Sequence, residues 1–338
     1  MTAPLPDWPL YGLADDIRPA LSEARAAGRP AALATIISLD GGGPRPVGTQ
    51  MLIDARGASG FLSGGCLEAD VAAHAAAVLA SGEPARLVYG HGSPWPDIRL
   101  LCGARVEILL EAVRPDDEAA ASLLALARAR RPALWLSDGR RRACGALDER
   151  PTPWSGAWEK VHPPATRLIV VGADPAALAI AALGAQTGLE TTLVRPRGPI
   201  SPPPMAGVAY RREPPAEALA ALTLDRWTAV AVATHDAALD HEALAVALPS
   251  PAFYVGALGA RRRAPDRGAA LAAAGVDAAN VARMVSPIGL DLGGKAPWAV
   301  AIAVLAQIIA YQTNGYGPPS GQPAALSAAS AGPRYLTS

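Results

Sequence analysis

Leu168-Ile169-Val170-Val171-Gly172-Ala173-Asp174-Pro175-Ala176-Ala177 reads as a buried strand, a tight turn and the first turn of a helix. Four aliphatic residues in a row suit a parallel strand covered on both faces. Asp174 followed by Pro175 suits a helix N-cap and first helical position. A strand, glycine turn and helix in this order is the setting of the dinucleotide fingerprint G-x-G-x-x-G/A. Gly172 supplies its first glycine and Ala177 its last, small position, but Asp174 stands where the second glycine belongs. That glycine lets the backbone approach a pyrophosphate, and a carboxylate in its place repels phosphate.

Working outward, the same rhythm repeats. Strands are expected over 167–171, 191–194, 229–233 and 252–255, and helices over 175–187, 216–222, 241–248, 261–274 and 298–312. Alternating strands and helices imply a doubly wound parallel sheet, so residues 166–314 are expected to form a Rossmann-like domain. Arg195 ends the second strand, with Arg197 nearby, where an acidic residue would hold ribose hydroxyls; an arginine there suits a 2′-phosphate. A Rossmann-like sheet that binds no nucleotide is an equally good reading. His235 and Asp236 follow the strand 229–233, at the end where open α/β sheets bind ligands, although Asp236 also suits a helix cap. Gly259, with Arg261 and Arg262, closes the next strand, as a phosphate site or a solvated basic face. Lys295 and Asp291 flank Gly293-Gly294, as an anion site or a plain salt bridge.

The first half carries Ser63-Gly64-Gly65-Cys66-Leu67-Glu68, a glycine loop running into a helix-like stretch, 67–79. Gly64 and Gly65 let the backbone approach a ligand, and helix-start N–H groups favour an anion. A thiol there tends toward thiolate, which is a nucleophile and a soft metal ligand. Cys66 is therefore a candidate cofactor and metal contact, against the plain reading of a small packing residue. Cys102 precedes Gly103 at a strand start and shares that pocket only if the fold brings it beside Cys66. The breaker-rich loop 41–48 carries Arg45, a guanidinium for a phosphate or pterin group, or else a turn that only shapes the chain. Glu68 is either a site acid or a complement to the helix dipole. Cys144 reads as structural. The segments expected are residues 1–115 as an N-terminal α/β domain, 116–165 as a connecting segment and linker, 166–314 as the Rossmann-like domain and 315–338 as a flexible tail.

Composition bounds the function. Thirty basic and 30 acidic residues balance, against a dedicated nucleic-acid binder. Three cysteines make no disulfide framework and read as free thiols of a reducing compartment. The N-terminal stretch lacks a signal-peptide pattern, and the longest apolar run, 299–310, is too short for a bilayer and contains Gln307. A soluble cytoplasmic protein, without membrane association, is expected. Lys160 and Lys295 are the only lysines, and a lysine kept in an arginine-rich chain is worth noticing, since ammonium and guanidinium differ as donors.

Taken together, the chain resembles the XdhC/CoxI family of xanthine dehydrogenase accessory factors. The resemblance rests on Ala34-Thr35-Ile36-Ile37, on Pro44-Arg45-Pro46 with Gly48, on the Ser63–Glu68 loop and on Cys102-Gly103-Ala104-Arg105-Val106-Glu107. It continues through the strand ending at Gly172, Thr234-His235-Asp236 with Leu239-Asp240 and Glu242, and Tyr254-Val255-Gly256-Ala257-Leu258-Gly259 before Arg261. Its last motif is Pro287-Ile288-Gly289-Leu290-Asp291-Leu292-Gly293 before Lys295. The matches run in order from about residue 30 to about residue 312.

The resemblance implies an N-terminal XdhC-type α/β domain ahead of the Rossmann-like one. It implies a chaperone that protects molybdenum cofactor, as molybdopterin or its cytosine dinucleotide form, supports its sulfuration and inserts it into a xanthine dehydrogenase-type hydroxylase. Its partners would be the apo molybdenum hydroxylase, a cysteine desulfurase-type sulfur donor and a second copy in a homodimer. Two departures stand out: the family's usual Gly-Ala-Gly-His is Gly172-Ala173-Asp174-Pro175 here, and Arg195 replaces an acidic residue. The alternatives are an NAD(P)-dependent oxidoreductase, opposed by Asp174 and by the lack of a hydride-transfer acid–base set, and a thiol enzyme using Cys66, whose nearest histidine in sequence is His74.

Overall fold

The computed structural model describes residues 5–43, 45–63, 65, 67–91, 93, 103 and 105–317, without the side chain of Arg261. The chain forms two compact units, Met1–Pro164 and Ala165–Ser338.

In the first unit a short 3-10 turn precedes α1 (Arg18–Ala26), β1 (Ala31–Asp40), β2 (Gln50–Asp54), β3 (Gly57–Gly60), α2 (Glu68–Ser81), β4 (Ala85–Gly90) and β5 (Arg105–Val113). These strands make an antiparallel sheet in the order β3-β2-β1-β5-β4. Period-two alternation along β1 explains its placement. Ala32, Ala34 and Ile36 face a core with Val71, Ala75 and Val78 of α2, while Ala31 and Leu33 face a second core on the other side.

That second core is closed by the following segment: α3 (Glu118–Arg128), β6 (Ala133–Ser137), β7 (Arg142–Ala146) and β8 (Trp158–His162). The strands form a three-stranded antiparallel sheet, β7-β6-β8. Residues 116–165, expected as a connecting segment with a helix over 116–130 and a strand over 133–136, carry that helix and a sheet of three strands. Ala120, Leu123 and Trp135 share one core with Leu21, Leu33 and Leu52, so this segment covers apolar surface that a linker would leave wet.

The second unit continues β9 (Arg167–Gly172), α4 (Pro175–Gln186), β10 (Glu190–Val194), β11 (Val208–Arg211), α5 (Pro215–Ala221), β12 (Thr228–Ala233), α6 (Ala237–Ala247) and β13 (Tyr254–Ala257). A 3-10 turn, Arg261–Arg263, leads to α7 (Ala264–Ala273), α8 (Ala278–Ala282) and α9 (Pro297–Thr313). The sheet is parallel, β11-β10-β9-β12-β13, and is the expected doubly wound Rossmann-like architecture. Leu168 and Val170 face α4 and α9, while Ile169 and Val171 face the core of α5, α6 and α7; all four are fully buried. Gln307, the polar residue of the apolar stretch 299–310, is buried and accepts hydrogen bonds from Tyr254 Oη (2.7 Å) and Gly289 N (2.8 Å). Among the described residues no helix is long and apolar enough to cross a membrane.

Candidate functional site

The strand directions of the first sheet bring three connections to one end. Asp40 at the end of β1 pairs with Arg105 at the start of β5, which pairs with Gly90 at the end of β4. Met51, next to the start of β2, pairs with Gly60 at the end of β3. The ends of β1, β3 and β4 and the starts of β2 and β5 therefore lie at the same end of the sheet, where the loops 41–49, 61–67 and 91–104 are attached. Cys66, Gly64 and Cys102 lie outside the described residues, but Gly65, Leu67 and Gly103 beside them fall in two of these loops. Gly65 and Gly103 take φ of +97° and +70°, conformations that favour glycine.

Glu68 organises the middle loop. Its side chain is buried, with the residue 1% exposed. Oε1 accepts from Leu62 N (3.0 Å) and Ser63 N (2.7 Å), and Oε2 from Ser63 Oγ (2.8 Å) and Leu67 N (3.2 Å). A buried carboxylate bound by several donors is a structural hub that fixes the loop around it. Behind it, Tyr89 donates its hydroxyl to Asp70 Oδ2 at 2.5 Å, and burial with these acidic neighbours pushes the phenol up. His74 is engaged with Asp70 as well, through Nδ1 3.0 Å from the carbonyl oxygen and 3.4 Å from Oδ2.

Loop 41–49 is held from the three-stranded sheet. Lys160 of β8 donates to Gly48 O (2.5 Å) and Gln50 Oε1 (3.0 Å). Burial, more than its charged neighbours, brings the ammonium down to about 8. Arg45 pairs with Asp15, and its Nε is buried without a partner among the described residues. Arg45, Thr49, Trp158 and Lys160 line a cavity of about 450 Å3. The sequence marked Lys160 only by its rarity; its grip on this loop depends on the unforeseen strand β8. Cys144 lies on β7, where burial pushes its thiol up to about 12, suiting a packed, unreactive sulfur.

In the second unit Gly172 is required by packing: a Cβ there would run into Ala233 O and lie 2.6 Å from Ala177 Cβ. Asp174 caps α4, accepting from Ala177 N at 2.8 Å, and its other oxygen lies 2.8 Å from His235 Nε2. The pair bridges the carboxyl ends of β9 and β12, the point where strand order reverses and a Rossmann sheet takes its pyrophosphate. Asp236 caps α6 through Ala238 N and Leu239 N. Asp240 is buried, accepting from Thr234 Oγ1 (2.6 Å) and Arg267 Nη2 (3.0 Å). Burial pushes its carboxyl up, while Thr234 and Arg267 pull it down. Gly259 takes φ +143° against the Arg267 guanidinium, and Arg261 begins the 3-10 turn beyond it. Thr234, His235, Asp240, Gly259 and Arg267 border a cavity of about 450 Å3, which Lys295, exposed like Asp291, does not line. Arg195 stands at the carboxyl end of β10. Among the described residues no group of three or more His, Cys, Asp or Glu is placed to hold a metal ion.

Residues 24–90 match the XdhC and CoxI family, and residues 168–308 match the XdhC Rossmann domain. The chain is 31% identical over 302 residues to the molybdenum cofactor insertion chaperone PaoD of Escherichia coli, covering 88% of this chain and 89% of that protein. The chain belongs to the XdhC and CoxI family. It is also 29% identical over 160 residues to the uncharacterized Escherichia coli protein YqeB, covering 46% of this chain and 29% of that one. A crystal structure described as a xanthine dehydrogenase from Bacillus halodurans shares the fold, with a TM-score of 0.72 at 23% identity over 89% of this chain and 96% of that one. β8, which carries Lys160, lies outside both family matches.

Proposed function

We propose that this XdhC-family chain is a carrier of molybdenum cofactor that delivers it to an apo molybdenum hydroxylase. The observation that carries the reading is the convergence, at one end of the first sheet, of the strand ends to which loops 41–49, 61–67 and 91–104 are attached. Similarity to PaoD along nearly the whole chain supports it. Cys66 supplies a soft sulfur ligand toward molybdenum, and Cys102, in the connection between β4 and β5, is offered as a second thiol. Gly64 and Gly65 admit the cargo to the backbone, and Arg45 offers a guanidinium to its phosphate. Glu68 holds the Cys66 loop in shape rather than taking part in chemistry.

The proposal extends to a xanthine dehydrogenase-type client, sulfuration of the bound cofactor by a cysteine desulfurase-type donor, a homodimer and a cytoplasmic site of action. It leaves the mononucleotide and cytosine dinucleotide forms as two versions of one cargo. An NAD(P)-dependent oxidoreductase is less well supported, since the Asp174–His235 pair stands at the pyrophosphate position. Expression in a cofactor-producing host, followed by oxidation of the purified protein, should yield a fluorescent pterin. Its absence from protein with an intact Cys66 would overturn the carrier reading.

A further inference from the structure

The carboxyl ends of β10 and β11 concentrate positive charge. Val194 lies opposite Arg211 in the parallel ladder. The pairing continues beyond the strands: Arg195 N donates to Arg211 O (2.9 Å) and Arg197 N to Arg212 O (3.1 Å). Backbone bonds thus fix four arginines side by side. Glu213 offsets one of them, 3.4 Å from Arg211, and Arg212 commits its Nε to Gly198 O at 2.8 Å. Neither Arg195 nor Arg197 has a guanidinium partner among the described residues.

The loop between them is shaped to hold this arrangement. Arg197 takes a left-handed φ of +54°. A Cβ on Gly198 would meet the Tyr210 hydroxyl and lie 2.9 Å from Arg195 Cδ, so the Arg195 stem lies close over this glycine. Tyr210 donates to Pro199 O at 3.0 Å. Arg197, Tyr210, Arg211, Arg212 and the Glu213 carboxylate, with Ile200, line an open depression of about 750 Å3, with Arg195 beside it at the end of β10.

Like charges held at adjacent strand ends repel unless an anion joins them. Guanidinium forks match phosphate oxygens in pairs. The end of the second strand is where a Rossmann sheet meets a ribose, and arginine there suits a phosphate ester. The pyrophosphate position is meanwhile taken by Asp174 and His235. We infer that the arginine depression beside β10 and β11 is a binding site for a phosphomonoester, not for a pyrophosphate-linked dinucleotide. This site is independent of the cofactor-carrier reading of the first unit.

Titration calorimetry of the full chain at low ionic strength tests it, with adenosine 2′,5′-bisphosphate, adenosine 5′-monophosphate and inorganic phosphate as probes. Binding of at least one is expected, weakening as salt is added. Arg197→Asn removes a guanidinium while keeping a residue that tolerates positive φ, and should weaken binding about tenfold. If that variant melts early, Arg211→Gln gives the same readout. Equal affinity for all three probes assigns the site to the phosphate group alone, and tighter nucleotide binding assigns it to a nucleoside ester. The inference fails if no probe binds at about millimolar concentration. It fails also if a folded variant binds as well as wild type.

Discussion

Glu68 shows how much one side chain decides at this site. Four donors converge on its buried carboxylate, three of them backbone N–H groups of the loop that carries Gly64 to Leu67. Glu68→Gln turns one acceptor into a donor facing donors, and should cost about 2 kcal/mol in urea unfolding. A loss under about 0.5 kcal/mol would show that the hub does not hold the loop. Lys160 makes a second residue-scale case, with a sign that can be worked out. Its folded value is brought down from 10.5 to about 8 by burial. Below about 8 both folded and unfolded chains hold the proton, and the folded state bears the burial cost. Between those values the unfolded chain holds more protons, so stability rises with pH. Wild type should therefore gain about 2 kcal/mol relative to Lys160→Met from about pH 7 to about pH 9.5. A stability difference that does not move with pH would contradict the buried ammonium. Cys66 and Arg45 were legible as candidates from their glycine and proline settings. The role of Glu68 was not, because its partners are main-chain groups that residue types do not reveal.

At the scale of elements, the segment after β5 matters most. Arg142 of β7 lies 2.9 Å from Glu111 of β5 and 2.6 Å from Asp117, the cap of α3. Ser137 of β6 donates to the same Glu111 oxygen at 2.6 Å. Burial pushes the Glu111 carboxyl up, and Arg142 and Ser137 oppose that. Arg142→Met should cost about 3 kcal/mol or more by leaving a buried carboxylate without its counter-charge. Adding Glu111→Gln should restore part of the loss, as denaturant melts of both variants would show; no recovery would mean that Arg142 acts by packing alone. The alternation over 167–274 was readable because strands covered on both faces leave continuous apolar runs, such as Leu168 to Val171. β7 and β8 were not, since Arg142-Ala143-Cys144-Gly145-Ala146 and Trp158-Glu159-Lys160-Val161-His162 have no apolar run and exist by pairing with β6. β11 escaped notice for the same reason, and with it the alignment of Arg211 and Arg212 beside Arg195 and Arg197.

At the scale of the molecule, the chain divides at Pro164 and Ala165. A fragment of residues 1–164 should fold cooperatively, and one of residues 1–115 should not, because the latter strips α3 and Trp135 from the core beneath β1. Circular dichroism melts of both fragments check this, and a cooperative melt of the shorter one would contradict it. If the loop end of the first sheet carries the cargo, the longer fragment should also retain cofactor when made in a cofactor-producing host. In the proposed carrier role the chain holds molybdenum cofactor through the Cys66 loop. Mass spectrometry of pterin and metal released from wild type and from Cys66→Ser, both purified from such a host, tests it most directly. Molybdopterin and molybdenum are expected from wild type, with loss of most of both from the variant. Equal amounts from the two proteins, or none from wild type, would contradict it.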